Sequence, residues 1–286
     1  MRRTLGTEPV GLWPSEGSVS NEVLALASEQ GFQWAATDNG VLGRTLEREP
    51  GVDVTYQPYE WQREGRRIKM LFRDHYLSDL IGFEYSRMDA SHAADHFLDR
   101  IRHNAGGRDC LVPIILDGEN AWEHYADGGR PFLRALYGRL QAADDIRAVT
   151  MREAVATPGP VPQLAHLVPG SWIHADFSVW AGHEEDRRAW TALARARGAW
   201  ERQSALVSAT AAEEAYESLL AAEGSDWFWW YGDDHSSSLD AVFDGLFRTH
   251  LRRVYEALGL RVPEVLQHPL GGVSPSSGDG AMSRGW

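Results

Sequence analysis

The chain has 286 residues, 43% of them hydrophobic and 24% charged, an ordinary globular composition with apolar mass for one large or two small domains. No run approaches the roughly 18 apolar residues of a membrane span, and Met1-Arg2-Arg3-Thr4 leads into no apolar signal segment, so a cytoplasmic protein with no membrane partner is expected. The formal charge of −13 argues against a nucleic-acid surface, and the single cysteine, Cys110, excludes an internal disulfide framework or a multi-cysteine metal site.

In chain order, Val10 to Trp13 reads as a short strand closed by Pro14-Ser15-Glu16. Ser20 is placed to cap a helix whose stripe is Val23, Leu24, Leu26 and Ala27. Phe32 to Ala36 reads as a buried strand closed by Thr37-Asp38-Asn39-Gly40, and Ile68 to Phe72 as the next, after a charged connection. Ser91 or Asp89 caps a helix carrying Phe97, Leu98 and Ile101. Leu111 to Leu116 is an unbroken apolar run of parallel-sheet type, with Pro113 pointing to an early position or a bulge. Pro131 opens a helix, and Ile146 to Thr150 is a weak strand. Such alternation predicts an α/β fold, a barrel or an open doubly wound sheet.

Residues 157–170 are rich in proline and glycine and read as a boundary. Residues 1–156 are then one domain and 157–270 a second, helical one, with helices over 184–205, 211–222 and 238–258. The Gly/Ser-rich stretch 271–286 reads as a disordered tail.

In parallel α/β folds the chemistry gathers at the C-terminal ends of the strands. Here four successive predicted strand ends carry ionisable groups: Glu16, Asp38, Arg73-Asp74-His75, and Asp117-Gly118-Glu119. Glu16 and Asp117 are a candidate pair: two carboxyls facing one cleft can divide into an ionised nucleophile and a protonated acid, the division glycoside hydrolysis needs. The same acids could simply cap helices. The run Asp117 to His124 holds three carboxylates and a histidine but matches neither an EF-hand nor HExxH, so no metal or other cofactor is expected. Asp226 to His235 puts five consecutive aromatics before Gly-Asp-Asp-His, which could be a platform for a sugar ring or a core plug. With 12 tryptophans in the chain, carbohydrate is a suspect.

Five segments in order carry a resemblance. They are Gly11-Leu12-Trp13-Pro14-Ser15-Glu16, Phe72-Arg73-Asp74-His75-Tyr76-Leu77-Ser78-Asp79-Leu80-Ile81-Gly82-Phe83, Leu116-Asp117-Gly118-Glu119-Asn120-Ala121-Trp122-Glu123, Gly170-Ser171-Trp172-Ile173-His174-Ala175-Asp176-Phe177, and Trp227-Phe228-Trp229-Trp230-Tyr231-Gly232-Asp233-Asp234-His235. Together they resemble glycoside hydrolase family 57, most closely its amylopullulanase-like branch. The resemblance implies a retaining enzyme acting on alpha-glucans, with Glu16 as nucleophile and Asp117 as general acid/base. It also implies a cleft lined by Trp13, Asp38, His75, Trp122, Trp172, Trp229, Trp230, Asp234 and His235. The implied fold is part of a seven-stranded (β/α) barrel followed by an α-helical region that closes the cleft.

The family's opening strand carries His-Gln-Pro, which this sequence lacks. The expectation is therefore an N-terminally truncated member, a degenerate fragment, or a subunit whose barrel a second polypeptide completes. The alternative function is a non-catalytic glucan-binding or partner subunit.

Overall fold

The computed structural model describes residues 2–118, 120–156 and 159–271. Glu119 and the tail from 272 onward therefore lie outside the described residues. The chain divides into two units, one ending at Asp176 and the other beginning at Phe177.

The first unit is built on a five-stranded sheet in the order β1 (Gly11–Leu12), β2 (Trp34–Asp38), β4 (Arg66–Arg73), β3 (Tyr59–Arg63), β5 (Gln163–Leu164). β1, β2 and β4 run parallel, so Trp13, Asp38 and Arg73 emerge on one edge, and Asp38 lies directly opposite Arg73 in the register. Ile68, Met70 and Phe72 alternate along β4 onto one face, where they pack with Val19, Leu24, Leu42, Tyr59 and Trp61. The helices begin where capping chemistry allows. Ser20 accepts from Val23 N (3.2 Å), Asp38 from Gly40 N (2.8 Å), Asp74 from Leu77 N (2.8 Å) and Asp89 from His92 N (2.9 Å). The helix Ala90–Ala105 and the helix Arg130–Ala142 build a second core around Tyr85, Phe97, Tyr125 and Phe132.

Three strand assignments change. β3 replaces part of the predicted charged connection. It forms a hairpin with β4 through Glu64 and Gly65, both at positive φ (52° and 77°), as a two-residue primed turn requires. Leu111–Leu116 joins no ladder: Pro113 has no N–H to give, and other backbone groups of the run bond piecemeal. Leu111 N donates to Tyr56 O (3.1 Å), Pro113 O accepts from Asp74 N (2.9 Å), and Ile115 N donates to Ser78 Oγ (3.3 Å). Ile146–Thr150 is not a strand either. Beyond the predicted boundary at 156, β5 pairs in parallel with β3, and the bridge Val19–Gly170 ties the following stretch to the first unit.

The second unit is helical. Glu184–Gln203 and Ala209–Ala222 bury small faces (Ala189, Ala192, Ala196, Ala199; Ala215, Ala222) around Phe247, Leu251 and Val254 of Asp240–Ala257. Asp244 is its buried polar hub: it accepts from Tyr231 Oη (3.1 Å), Leu270 N (2.9 Å) and Arg248 Nε (2.8 Å). Among the described residues, no helix is long and apolar enough to cross a membrane.

Candidate active site

Leu12 ends β1, and the chain turns through Pro14 into a single 3-10 turn, Ser15–Gly17. Inside it Glu16 adopts a left-handed conformation (φ 57°, ψ 24°), sparsely populated for a residue with a side chain and sustained only by surrounding structure. That support is visible. Gly17 O accepts from the Thr37 hydroxyl of β2 (2.6 Å), and Glu16 O accepts from Trp172 N (3.1 Å). Gly17 itself has φ 59°, and a Cβ there would press on the Trp13 indole. The half-buried Glu16 side chain accepts at Oε2 from Trp172 Nε1 (3.1 Å). Trp13 meets the same indole edge-on, with ring centroids 5.4 Å apart.

Behind Trp172 lies a cluster of charges. The Arg73 guanidinium sits over the indole, 5.2 Å from the ring centroid. It donates through Nη1 to Asp38 Oδ2 (2.9 Å), Nη2 to Asp79 Oδ1 (2.5 Å) and Nε to Ile115 O (2.9 Å). His75 closes the ring, with Nδ1 at 3.0 Å from Asp38 Oδ2 and Nε2 at 3.1 Å from Asp79 Oδ2. Two carboxylates thus face two cations. Hydrogen bonds to Asp38 and Asp79, outweighing burial, push His75 up to about 10 from its usual 6.5, so it is an imidazolium at neutral pH. Burial would raise Asp79, but the His75 hydrogen bond and the Arg73 charge prevail and hold it low.

The imidazolium has a consequence for stability. A raised folded-state pKa means His75 stabilises the fold fully below about pH 6.5, and that contribution is lost as pH rises toward about 10. The stability gap between the wild type and His75→Gln should therefore narrow from pH 7 to pH 10 in urea titrations. A gap that stays constant over that window would exclude a charged His75.

The predicted site residues fall into three sets. Trp13, Glu16, Asp38, His75 and Trp172 are gathered at the C-terminal edge of β1, β2 and β4. Within this set Asp38 is buried and His75 partly exposed: the two Asp38 oxygens serve Gly40 N, Arg73 and His75, and both His75 ring nitrogens face carboxylates. These bonds brace the edge of the sheet at the site. Asp117 is half-buried two residues beyond the Ile115 carbonyl that Arg73 holds, so its segment is tied to the same cluster. Trp122, in the short helix Asn120–Glu123, packs on Tyr125 (5.4 Å) and joins the second core cluster.

The third set belongs to the second unit. Trp229 stacks on His235 (3.6 Å, 19°) and leans on Trp180 (5.5 Å). Trp230 stacks instead on Phe243 (5.3 Å), and Asp234 bonds His183 Nε2 at 2.8 Å. The aromatic run is thus part core, through Phe228 and Tyr231, and part stacked partners at the end of the short helix Asp226–Trp229. Among the described residues no group of three His, Cys, Asp or Glu is placed to hold a metal ion. The sequence marks Arg73 only as part of a charged strand end and gives Asp79 no role; the signal is the pair of opposite charges flanking His75 by two and four positions.

Residues 1–164 match the family model described as glycosyl hydrolase family 57. No curated protein matches the chain. Among solved structures it is similar to an alpha-amylase from Thermotoga maritima (TM-score 0.66, 14% identity), covering 93% of this chain and 63% of that one. A GH57 branching enzyme from the hyperthermophilic archaeon Thermococcus kodakaraensis, in complex with glucose, gives a TM-score of 0.65 at 16% identity over 90% of this chain and 60% of that one. A 4-alpha-glucanotransferase from Thermococcus litoralis gives 0.61 at 16% identity, over 90% and 42%. At these identities the likeness is one of fold, and the chain spans less than two thirds of each structure it resembles.

Proposed function

The chain belongs to glycosyl hydrolase family 57, and on that premise we propose that it carries the carboxylate pair of a retaining glycosidase or transglycosylase acting on alpha-glucans. In this reading Glu16 attacks the anomeric carbon and forms a glycosyl ester while Asp117 protonates the departing oxygen. Asp117 then takes a proton from water or an acceptor hydroxyl, which displaces Glu16. The observation that carries the reading is the placement of Glu16: a residue of strained backbone, tethered once at its carbonyl and once at its carboxylate, at the C-terminal edge of parallel strands. The substrate class draws support from the neighbours named above, an alpha-amylase, a branching enzyme and a glucanotransferase. Trp13, Asp38, His75, Trp122 and Trp172 belong to the same reading as cleft residues of the first unit, Trp229, Trp230, Asp234 and His235 as sugar-binding residues of the second, and the motifs favour the amylopullulanase-like branch.

A second reading draws on the stacked aromatic side chains of the second unit. It is a non-catalytic glucan-binding or partner subunit. A slow covalent substrate separates the two. With 5-fluoro-alpha-glucosyl fluoride, fluoride leaves and a fluoroglucosyl ester forms on the nucleophile, which peptide mapping by mass spectrometry should locate on Glu16. Maltooligosaccharide binding by calorimetry with no ester formed would favour the binding subunit.

A further inference from the structure

Trp172 is held against Glu16 far more firmly than a wall residue requires. Val19 and Gly170 exchange both backbone hydrogen bonds (2.8 and 3.1 Å), fixing the start of the Trp172 segment beside the Glu16 turn. Two residues on, the Trp172 backbone N–H meets the Glu16 carbonyl and its indole N–H meets the Glu16 carboxylate. One residue thus reads both the main chain and the side chain of the other. The segment is then locked on itself: Ser171 N donates to Asp176 O (3.1 Å), His174 and Ala175 sit at positive φ (55° and 56°), and Arg44 donates to Ala175 O (2.5 Å). A Cβ on Gly170 would overlap the Ala175 carbonyl, so close approach of the backbone is part of the design. Glu16, His174 and Ala175 bring three left-handed side-chain-bearing residues into one assembly.

The indole is also spoken for. Arg73 covers the ring, and Trp13 meets it at a steep angle (69°). A cation over the ring draws electron density from it and makes the N–H a stronger donor. Charge-assisted hydrogen bonds of this kind favour the ionised carboxylate and restrict its rotamer.

We propose that Trp172 is a positioning residue for Glu16, its indole N–H orienting the carboxylate and favouring the ionised form, with Arg73 bracing the ring from behind. The proposal rests on the reading of Glu16 as nucleophile. Its test does not depend on turnover. In the full chain, Trp172 is replaced by benzothienylalanine, which keeps the bicyclic ring and substitutes sulfur for the N–H; Trp172→Phe serves as the second variant. Carbon-13 carboxyl NMR of Glu16, assigned with Glu16→Gln, should show its titration midpoint rising by about one pH unit in both variants. Labelling of Glu16 by the fluoroglucosyl fluoride should slow by about tenfold in the benzothienyl variant, which keeps the ring face but no longer aligns the carboxylate. An unchanged midpoint in the folded benzothienyl variant overturns the proposal. If the wild type shows no labelling at all while the midpoint still shifts, the nucleophile reading fails and the hydrogen-bond coupling stands.

Discussion

Replacing Arg73 by methionine is expected to destabilise the protein by about 3–5 kcal/mol, the cost of removing one partner from a buried ionic network. The Arg73 side chain is 5% exposed and that of Asp38 is 4% exposed, so water cannot take over the lost bonds. Methionine fills much of the volume but leaves Asp38 and Asp79 sharing one imidazolium between them, and leaves the Ile115 carbonyl without its Nε donor. Against a typical stability of about 5–15 kcal/mol, that is a large fraction of the total. Arg73→Lys should fall between the two: the charge returns, but one ammonium cannot reach in three directions or lie flat on Trp172 as a planar guanidinium does. Urea titrations at pH 7 read both differences directly. A cost below about 1 kcal/mol for Arg73→Met would show that the cluster is solvated and contributes as an exposed ion pair does.

This cluster marks where sequence reading reaches its limit. The strands that carry the site, β1, β2 and β4, are short apolar runs closed by polar residues, and their charged ends are visible without a structure. That Asp38 and Arg73 are partners depends on the parallel register of β2 and β4, which no local pattern specifies. The contact between Trp172 and Glu16 joins residues 156 positions apart. Motif order alone could bring those two segments together on paper; only the folded chain assigns the indole N–H to a carboxylate oxygen.

Elsewhere the misreadings have local causes. β3 reads Tyr59-Glu60-Trp61-Gln62-Arg63, an alternation of apolar and polar residues expected of a half-buried strand, but Pro58 and the Glu64-Gly65 turn disguise it. Glutamate at the first left-handed turn position is not the Asn or Asp that signals a tight hairpin. The opposite error occurs at Leu111–Leu116, where continuous apolar residues suggest a central strand. There the side chains serve the second core cluster, through Val112, Ile114 and Leu116, while the backbone bonds go to Tyr56, Asp74, Ser78 and the Arg73 side chain. Apolar continuity reports burial, not pairing. Burial also resolves the aromatic run at 227–231: Phe228 and Tyr231 turn inward, while Trp229 and Trp230 stack on different partners.

The largest expected effect on activity is at Glu16. With an activated aryl alpha-glucoside, Glu16→Gly should lower kcat on the order of 10⁴-fold or more, as removal of a nucleophile does. Asp117→Ala should lower it less on that substrate, because a good leaving group departs without a proton. Added azide distinguishes the two carboxylates by product stereochemistry. In Glu16→Gly, azide occupies the space of the missing carboxylate and attacks the anomeric carbon opposite the leaving group, giving the beta-glucosyl azide. In Asp117→Ala, Glu16 still forms the glycosyl ester, and azide then displaces it from the other face, giving the alpha-glucosyl azide. The two anomers separate by proton NMR coupling constants. Alpha product from the Glu16 variant, or beta product from the Asp117 variant, would exchange or abolish the assigned roles. Full activity in Glu16→Gly would remove the turn between Leu12 and Ser18 from the chemistry, leaving its strained backbone and its two bonds to Trp172 as features of the fold alone.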